Sequence, residues 1–186
     1  MSRSMNGTNW FMRNFDGWKG TKGVGVKVKE RFGATKTIIV TFENVSIATI
    51  DATTNGAQGS LKVYSLPQGL FSYVGGTTNL TIARVGTNLT ANSAVVAGVG
   101  TAVAGVDPTL TGTEQDLIPS TAATLVAGAS PVKGKSVTAT AAVFDGTATA
   151  KDVYLNFATV DAGSTGNDAL LVNGTITLVF TYLGDN

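Results

Sequence analysis

The feature that most constrains this chain is a period-two alternation carried by β-branched, aromatic and small side chains. It is clearest in Val137-Thr-Ala-Thr-Ala-Ala-Val-Phe144, Asp145-Gly-Thr-Ala-Thr-Ala-Lys-Asp152 and Val153-Tyr-Leu-Asn-Phe157. In the last run Val153, Leu155 and Phe157 share one face, with Tyr154 and Asn156 on the other. In the first, Val137, Ala139, Ala141 and Val143 alternate with Thr138, Thr140, Ala142 and Phe144. This spacing belongs to half-buried antiparallel strands, because successive side chains of a strand point to opposite faces. The two runs are expected to pair as a hairpin around Asp145-Gly146, a dipeptide suited to tight turns.

The same pattern recurs along the chain. Ile38, Val40 and Phe42 share a face in residues 36–50, and residues 61–66 read as another strand. Short strands are expected at 70–74 and 80–85, separated by Gly75-Gly76. Residues 94–106 are a low-complexity Ala/Val/Gly stretch whose β-branched residues and glycines argue for two small-residue strands. Such small side chains let a second surface approach closely. Residues 113–118 fit one helical turn before Pro119. Asn55-Gly56 reads as a turn, and Asn173-Gly174 as a bulge within one long closing strand. The expected fold is an all-β, antiparallel β-sandwich or jelly-roll-like domain over residues 35–186, preceded by an extended N-terminal arm over residues 1–34.

Composition narrows the chemistry. There is no cysteine and no histidine, which removes thiolate nucleophiles, disulfides, the commonest general base and the most frequent transition-metal ligand. Charged residues are 13% of the chain, against about 25% in ordinary globular domains. A surface so sparsely charged suits packing against neighbours. No apolar run approaches the ~18 residues of a membrane span, and no signal-peptide core is visible, so a protein made in a cytosol or assembled there is expected.

The net charge of +1 hides an asymmetry: residues 1–34 carry +5 and the remainder −4. Both tryptophans lie in this basic segment. Trp10, Phe11, Arg13, Phe15 and Trp18 are its candidate contact residues for another subunit, since aromatics and Arg are enriched at such contacts. The same aromatics could instead cover one end of the sandwich. Stacking on nucleic acid is a third option, disfavoured because glycines space the charges apart.

The search for catalytic machinery returns little. Gly163-Ser164-Thr165-Gly166 is a polar turn without the flanks of a nucleophile elbow, and Gly20-Thr-Lys-Gly-Val-Gly25 lacks the ending of a phosphate loop. The carboxylate pairs Asp145/Asp152 and Glu114/Asp116 have the residue types of a glycosidase, yet turn and strand-start roles explain them better. Asp161, Ser164, Asn167 and Asp168 offer hard oxygens of the kind calcium accepts, but not at EF-hand spacing. No enzyme activity, metal or cofactor is expected.

Five stretches are similar to segments of small virion proteins of tailed bacteriophages. They are Leu110-Thr-Gly-Thr-Glu114, Leu117-Ile-Pro-Ser-Thr-Ala-Ala-Thr124, Ala142-Val-Phe-Asp-Gly-Thr-Ala-Thr-Ala150, Val153-Tyr-Leu-Asn-Phe157 and Gly174-Thr-Ile-Thr-Leu178. The resemblance runs from about residue 61 to the C-terminus and leaves the first 34 residues outside it. It implies a capsid decoration (cement) protein: a jelly-roll-like domain, commonly a homotrimer, on the outer head surface where major capsid protein subunits meet. The implied partners are the major capsid protein and sister copies, with no membrane and no nucleic acid, and the implied location is the virion. The family brings no catalytic residues to carry over. Alternatives are a head-fibre or tail component, or a carbohydrate-binding β-sandwich using Tyr64, Tyr73 and Tyr154 as stacking platforms.

Overall fold

One strand of 18 residues, β3 (Lys36–Thr53), joins the two halves of the fold. The computed structural model describes residues 20–31, 35–53, 56–89, 94–105, 109–124, 130–132, 134–159 and 166–184. Among these, the other strands are β1 (Thr21–Lys22), β2 (Lys27–Arg31), β4 (Gly56–Ser65), β5 (Leu70–Arg84), β6 (Ala94–Gly100), β7 (Ile118–Thr124), β8 (Ser130–Val132), β9 (Lys135–Asp145), β10 (Asp152–Thr159) and β11 (Asp168–Gly184). All their pairings are antiparallel. One sheet runs β7-β6-β10-β4, with β1 beside the end of β4. The other runs β2-β3-β11-β5, and β5 then pairs with both β8 and β9. The last residues of β3 leave the second sheet and pair with β4, so the two sheets form one curled surface around a shared core. The chain is an all-β, antiparallel sandwich of jelly-roll-like form.

Alternation explains that core. Ile38, Val40 and Phe42 of β3 face inward with Ile176, Leu178 and Phe180 of β11 and with Phe71, Tyr73, Leu80 and Ile82 of β5. Val63, Val95, Val99, Val153, Leu155 and Phe157 face them from the other sheet. Phe180 anchors an aromatic cluster. The rings of Phe71, Tyr73 and Phe144 lie 6.3, 5.3 and 6.5 Å from it, at tilted or edge-on angles favoured by ring quadrupoles.

Several expectations change here. Residues 137–144 and 153–157 do not form a hairpin: β9 pairs with β5 of one sheet, and β10 with β4 and β6 of the other. Residues 146–151 instead cross between the sheets, alongside the 66–69 connection from β4 to β5. The two crossings are tied together by Gly146 N–H to Gly69 O (2.9 Å) and Leu66 N–H to Lys151 O (2.8 Å). The two short strands expected at 70–74 and 80–85 are one strand, Leu70–Arg84, with a register shift at Tyr73/Gly75. The 94–106 stretch gives one strand, β6, because residues 101–105 are drawn away from the sheet. The bulge at Asn173-Gly174 is present within a continuous β11. There Asn173 Oδ1 accepts Asn44 N–H at 2.8 Å, and Asn44 itself has φ +52°. Within the segment expected as an arm, Lys27–Arg31 forms a strand that pairs with β3 across the expected boundary at residue 34.

Asp168, from the polar loop considered for calcium, lies at the start of β11 and closes a turn of its own chain. Its carboxylate accepts N–H donors from Gly86 (2.7 Å), Leu89 (3.0 Å) and Ala169 (2.7 Å). Burial pulls its pKa up, but these donors together with Asn88 N–H outweigh that and hold it below the ordinary carboxylate value. A depressed folded pKa means stability that is present above the unfolded value, about 3.9, and is lost as pH falls through the folded one. Asp168→Asn is therefore expected to lower the unfolding free energy at pH 7 by about 1–2 kcal/mol. Its gap to the native protein should narrow towards pH 3. A gap independent of pH in denaturant titrations would exclude this role for the carboxylate. Asp161 and Ser164 lie outside the described residues, among which no three acidic side chains are grouped as a metal site.

Candidate functional site

Four of the five stretches that carry the resemblance meet at one corner of the sandwich. The described residues of the link between β6 and β7, 101–105 and 109–117, do not follow the sheet edge. They fold back over the outer face of the first sheet as a lasso, with a 3₁₀ turn at Gly112–Glu114 where a helical turn was expected slightly later. Gly112 has φ +48°, a left-handed conformation that costs glycine little. Thr113 O accepts N–H from Thr101 (2.8 Å) and Ala102 (3.1 Å), doubling the lasso onto the end of β6. Gly100 permits this approach, since a Cβ there would lie 2.2 Å from Thr113 O. At Gly98 a Cβ would stand 3.1 Å from both Leu110 and Gln115 side-chain atoms. The small residues of β6 do admit a close second surface, and that surface is the chain's own.

Side chains of these stretches, and of Gln115 and Asp116 between the first two, hold the lasso. Glu114 Oε2 accepts Thr111 N–H at 2.7 Å and Oε1 accepts Gly105 N–H at 2.5 Å. Gln115 donates to Leu110 O (2.5 Å) and accepts Ser120 N–H (2.7 Å). Asp116 accepts both the N–H (2.9 Å) and the hydroxyl (2.7 Å) of Thr101. Burial pushes its carboxyl upward in pKa, opposed by these Thr101 donors. Beneath lies Asn156 of β10, fully buried although its strand position faces outward. Its Nδ2 donates to Ala102 O (2.8 Å) and Glu114 O (2.7 Å), and its Oδ1 accepts Ser60 Oγ–H at 2.6 Å.

Beside the lasso, the end of β9 and the 146–151 crossing close an open trough of about 420 Å³. Thr101, Thr113, Asp116, Val143, Phe144, Asp145 and Lys151 line it. Phe144 turns partly into the core and Val143 is 54% exposed. Asp145 accepts both the N–H and the hydroxyl of Thr147, at 3.0 and 2.7 Å. Those hydroxyl and N–H donors lower its pKa, with a smaller contribution from Lys151. Across the first sheet, Asp152 accepts Ser65 Oγ–H (2.5 Å), Lys62 (3.4 Å) and Tyr154 O–H (3.2 Å). All four carboxylates weighed as glycosidase pairs are thus engaged in holding their own chain. The fifth stretch, Gly174–Leu178, lies in β11 of the other sheet.

The tyrosines expected at the surface divide. Tyr64 and Tyr73 are fully buried, and Tyr154 is partly exposed beside Lys62. Tyr64 belongs to a hidden network that the sequence did not announce. Its hydroxyl donates to Glu30 of β2 and accepts Gly20 N–H at 2.7 Å. Glu30 also faces the fully buried Lys36, whose Nζ lies 3.5 Å from its carboxylate and 5.3 Å from the Tyr64 ring centroid. Burial drives the Lys36 pKa down against the pull of Glu30. Burial, aided by Glu30, drives the Tyr64 pKa up. Trp10, Phe11, Arg13, Phe15 and Trp18 lie outside the described residues.

No family model matches the chain, and no curated protein matches it. Among solved structures, one described as "CBM4 structure and function" is similar over 90% of this chain and 97% of its own, at 13% identity and a TM-score of 0.38. Another concerns specific mannan recognition by a carbohydrate-binding module, TmCBM27. It covers 90% of each chain at 8% identity and a TM-score of 0.28. Likeness at this level carries no inference about what the chain binds.

Proposed function

We propose that this chain is a decoration protein of a tailed-phage head, a β-sandwich that acts by contact with shell subunits and with sister copies. The observation that carries the reading is the convergence at the lasso corner. Short, low-complexity similarities gain weight when they build one folded feature, and here three of them supply the hydrogen bonds of Asn156 or the lining of one trough, while a fourth is tied to the lasso through Ser120 N–H. A cement protein stabilises a shell by binding its mature form better than the alternatives, which is ordinary linkage.

The test uses heads of the source phage stripped of this protein. Added full-length chain should co-sediment with them and raise the temperature at which they release DNA. A chain beginning at Gly20, which keeps the Gly20–Tyr64 hydrogen bond, should fold but bind at least about tenfold more weakly, because it lacks the aromatic anchors. Light scattering near three times the 19.0 kDa of the chain would agree with a trimer. Failure of the full chain to rebind would end this reading.

A second reading, a glycan-binding β-sandwich, is favoured by the trough itself. Val143 and Phe144 offer an apolar face beside Thr113, Asp145 and Lys151, a combination suited to neutral sugars. Binding on an array of neutral oligosaccharides, without affinity for heads, would put this reading first.

A further inference from the structure

The two outer faces of the sandwich differ. The lasso covers part of the first sheet, whereas the second sheet carries a line of exposed cations along its β2 edge. Strand register defines this second face: Lys29 of β2 stands opposite Ile39 of β3, Ile39 opposite Thr177 of β11, and Thr177 opposite Thr77 of β5. Partners directly opposite in antiparallel strands share a face, so these four form one row pointing away from the core, and the register carries it on to Lys135 of β9, opposite Thr77. The neighbouring rows begin at Lys27 and Arg31, and they continue through threonines, Val179 and Asn79 without an acidic or basic side chain. Alternation along β2 turns Val28 and Glu30 inward and leaves Lys27, Lys29 and Arg31 exposed, about 7 Å apart. Lys27 pairs with the exposed Glu43. Among the described residues, neither Lys29 nor Arg31 has a carboxylate within ion-pair distance.

We infer that this face is the shell-docking surface, and that it takes an extended, uncharged patch of the shell protein bordered by carboxylates. The inference rests on the decoration-protein reading and names the surface by which it acts. Charge complementarity selects the occupant. A row of cations along one rim calls for acidic groups opposite. Among the described residues, a second copy of the same face would supply only Glu43, already held by Lys27, so the face is poorly matched to itself. Basic residues on an edge strand also deter edge-to-edge pairing with another sheet, which leaves the face as the contact.

The experiment compares full-length native protein with Lys29→Glu/Arg31→Glu and with Asn79→Glu, which puts a carboxylate on the face away from the rim. Each would be titrated onto stripped heads at low and high salt, with circular dichroism to confirm folding. The charge-reversed variant should bind at least about tenfold more weakly at low salt, and the difference should shrink as salt screens it. Asn79→Glu should weaken binding as well. Carbodiimide coupling of native complexes should join Lys29 to an acidic residue of the shell protein. If native protein binds heads and both variants bind equally well, this face is not the docking surface, while the decoration reading stands. If native protein fails to bind heads at all, both fall together.

Discussion

Glu30→Ala should be among the most damaging single substitutions in the described part of the molecule. It removes the carboxylate that faces Lys36, whose side chain is fully buried, and the acceptor of the Tyr64 hydroxyl. Removing one partner of a buried ion pair costs about 3–5 kcal/mol, because the remaining charge keeps its desolvation penalty. For a chain of this length each kcal/mol lowers the melting temperature by about 2–4 °C, so a fall of roughly 6–20 °C is expected. The pH dependence gives a second check. Burial depresses the Lys36 pKa, and Glu30 supplies the opposing pull, so the substitution lowers it further. A depressed folded pKa means stability present above the unfolded value, about 10.4, and lost as pH falls through the folded one. The deficit of the variant should therefore be largest near neutral pH and shrink towards pH 9.5. Adding Lys36→Met should recover most of the loss at pH 7. A deficit below 1 kcal/mol, or one unchanged with pH, would show that the pair does not hold β2 to the body.

This network shows where the sequence stops being legible. Alternation correctly marked the inward faces of β3 and β10, because burial on a strand follows from period two alone. It could not choose strand neighbours. Val153, Leu155 and Phe157 read identically whether β10 pairs with β9 or with β4 and β6, and the Asp145-Gly146 signal suggested the nearer partner. The deciding fact is tertiary: the 146–151 segment runs beside the 66–69 crossing and is hydrogen-bonded to it at both ends. Polar residues misled in the same way. A lysine at a strand start, such as Lys36, is ordinarily exposed, and Tyr64 and Asn156 were expected on outward faces. Each is buried because a distant segment covers it, β2 in the first two cases and the lasso in the third. The glycines of β6 gave a partial signal. Small side chains implied a close second surface, and only the identity of that surface was missing.

Asn156 is the best single probe of the candidate site, because it bridges sheet and lasso with every polar group engaged. In Asn156→Leu the volume is kept, but Ala102 O and Glu114 O lose their donor under a covered surface. Each unsatisfied buried group costs about 1–3 kcal/mol, so leaving both in place would cost about 2–6 kcal/mol. The lasso has a cheaper outcome, which is to lift and let water reach those carbonyls. The expected result is therefore local. Hydrogen exchange at Thr101, Ala104, Gly105 and Glu114 should accelerate strongly, while amides shared by β3 and β11 keep most of their protection. Asn156→Asp sharpens the test, since a carboxylate would face two carbonyl oxygens with nothing to donate. Its folded pKa would be raised, so its extra penalty should be absent below about pH 3.9 and appear as pH rises through the folded value. If the lasso amides of either variant exchanged at native rates, Asn156 would not be what holds this corner. The trough and the motifs around it would then owe their shape to the Glu114, Gln115 and Asp116 contacts alone.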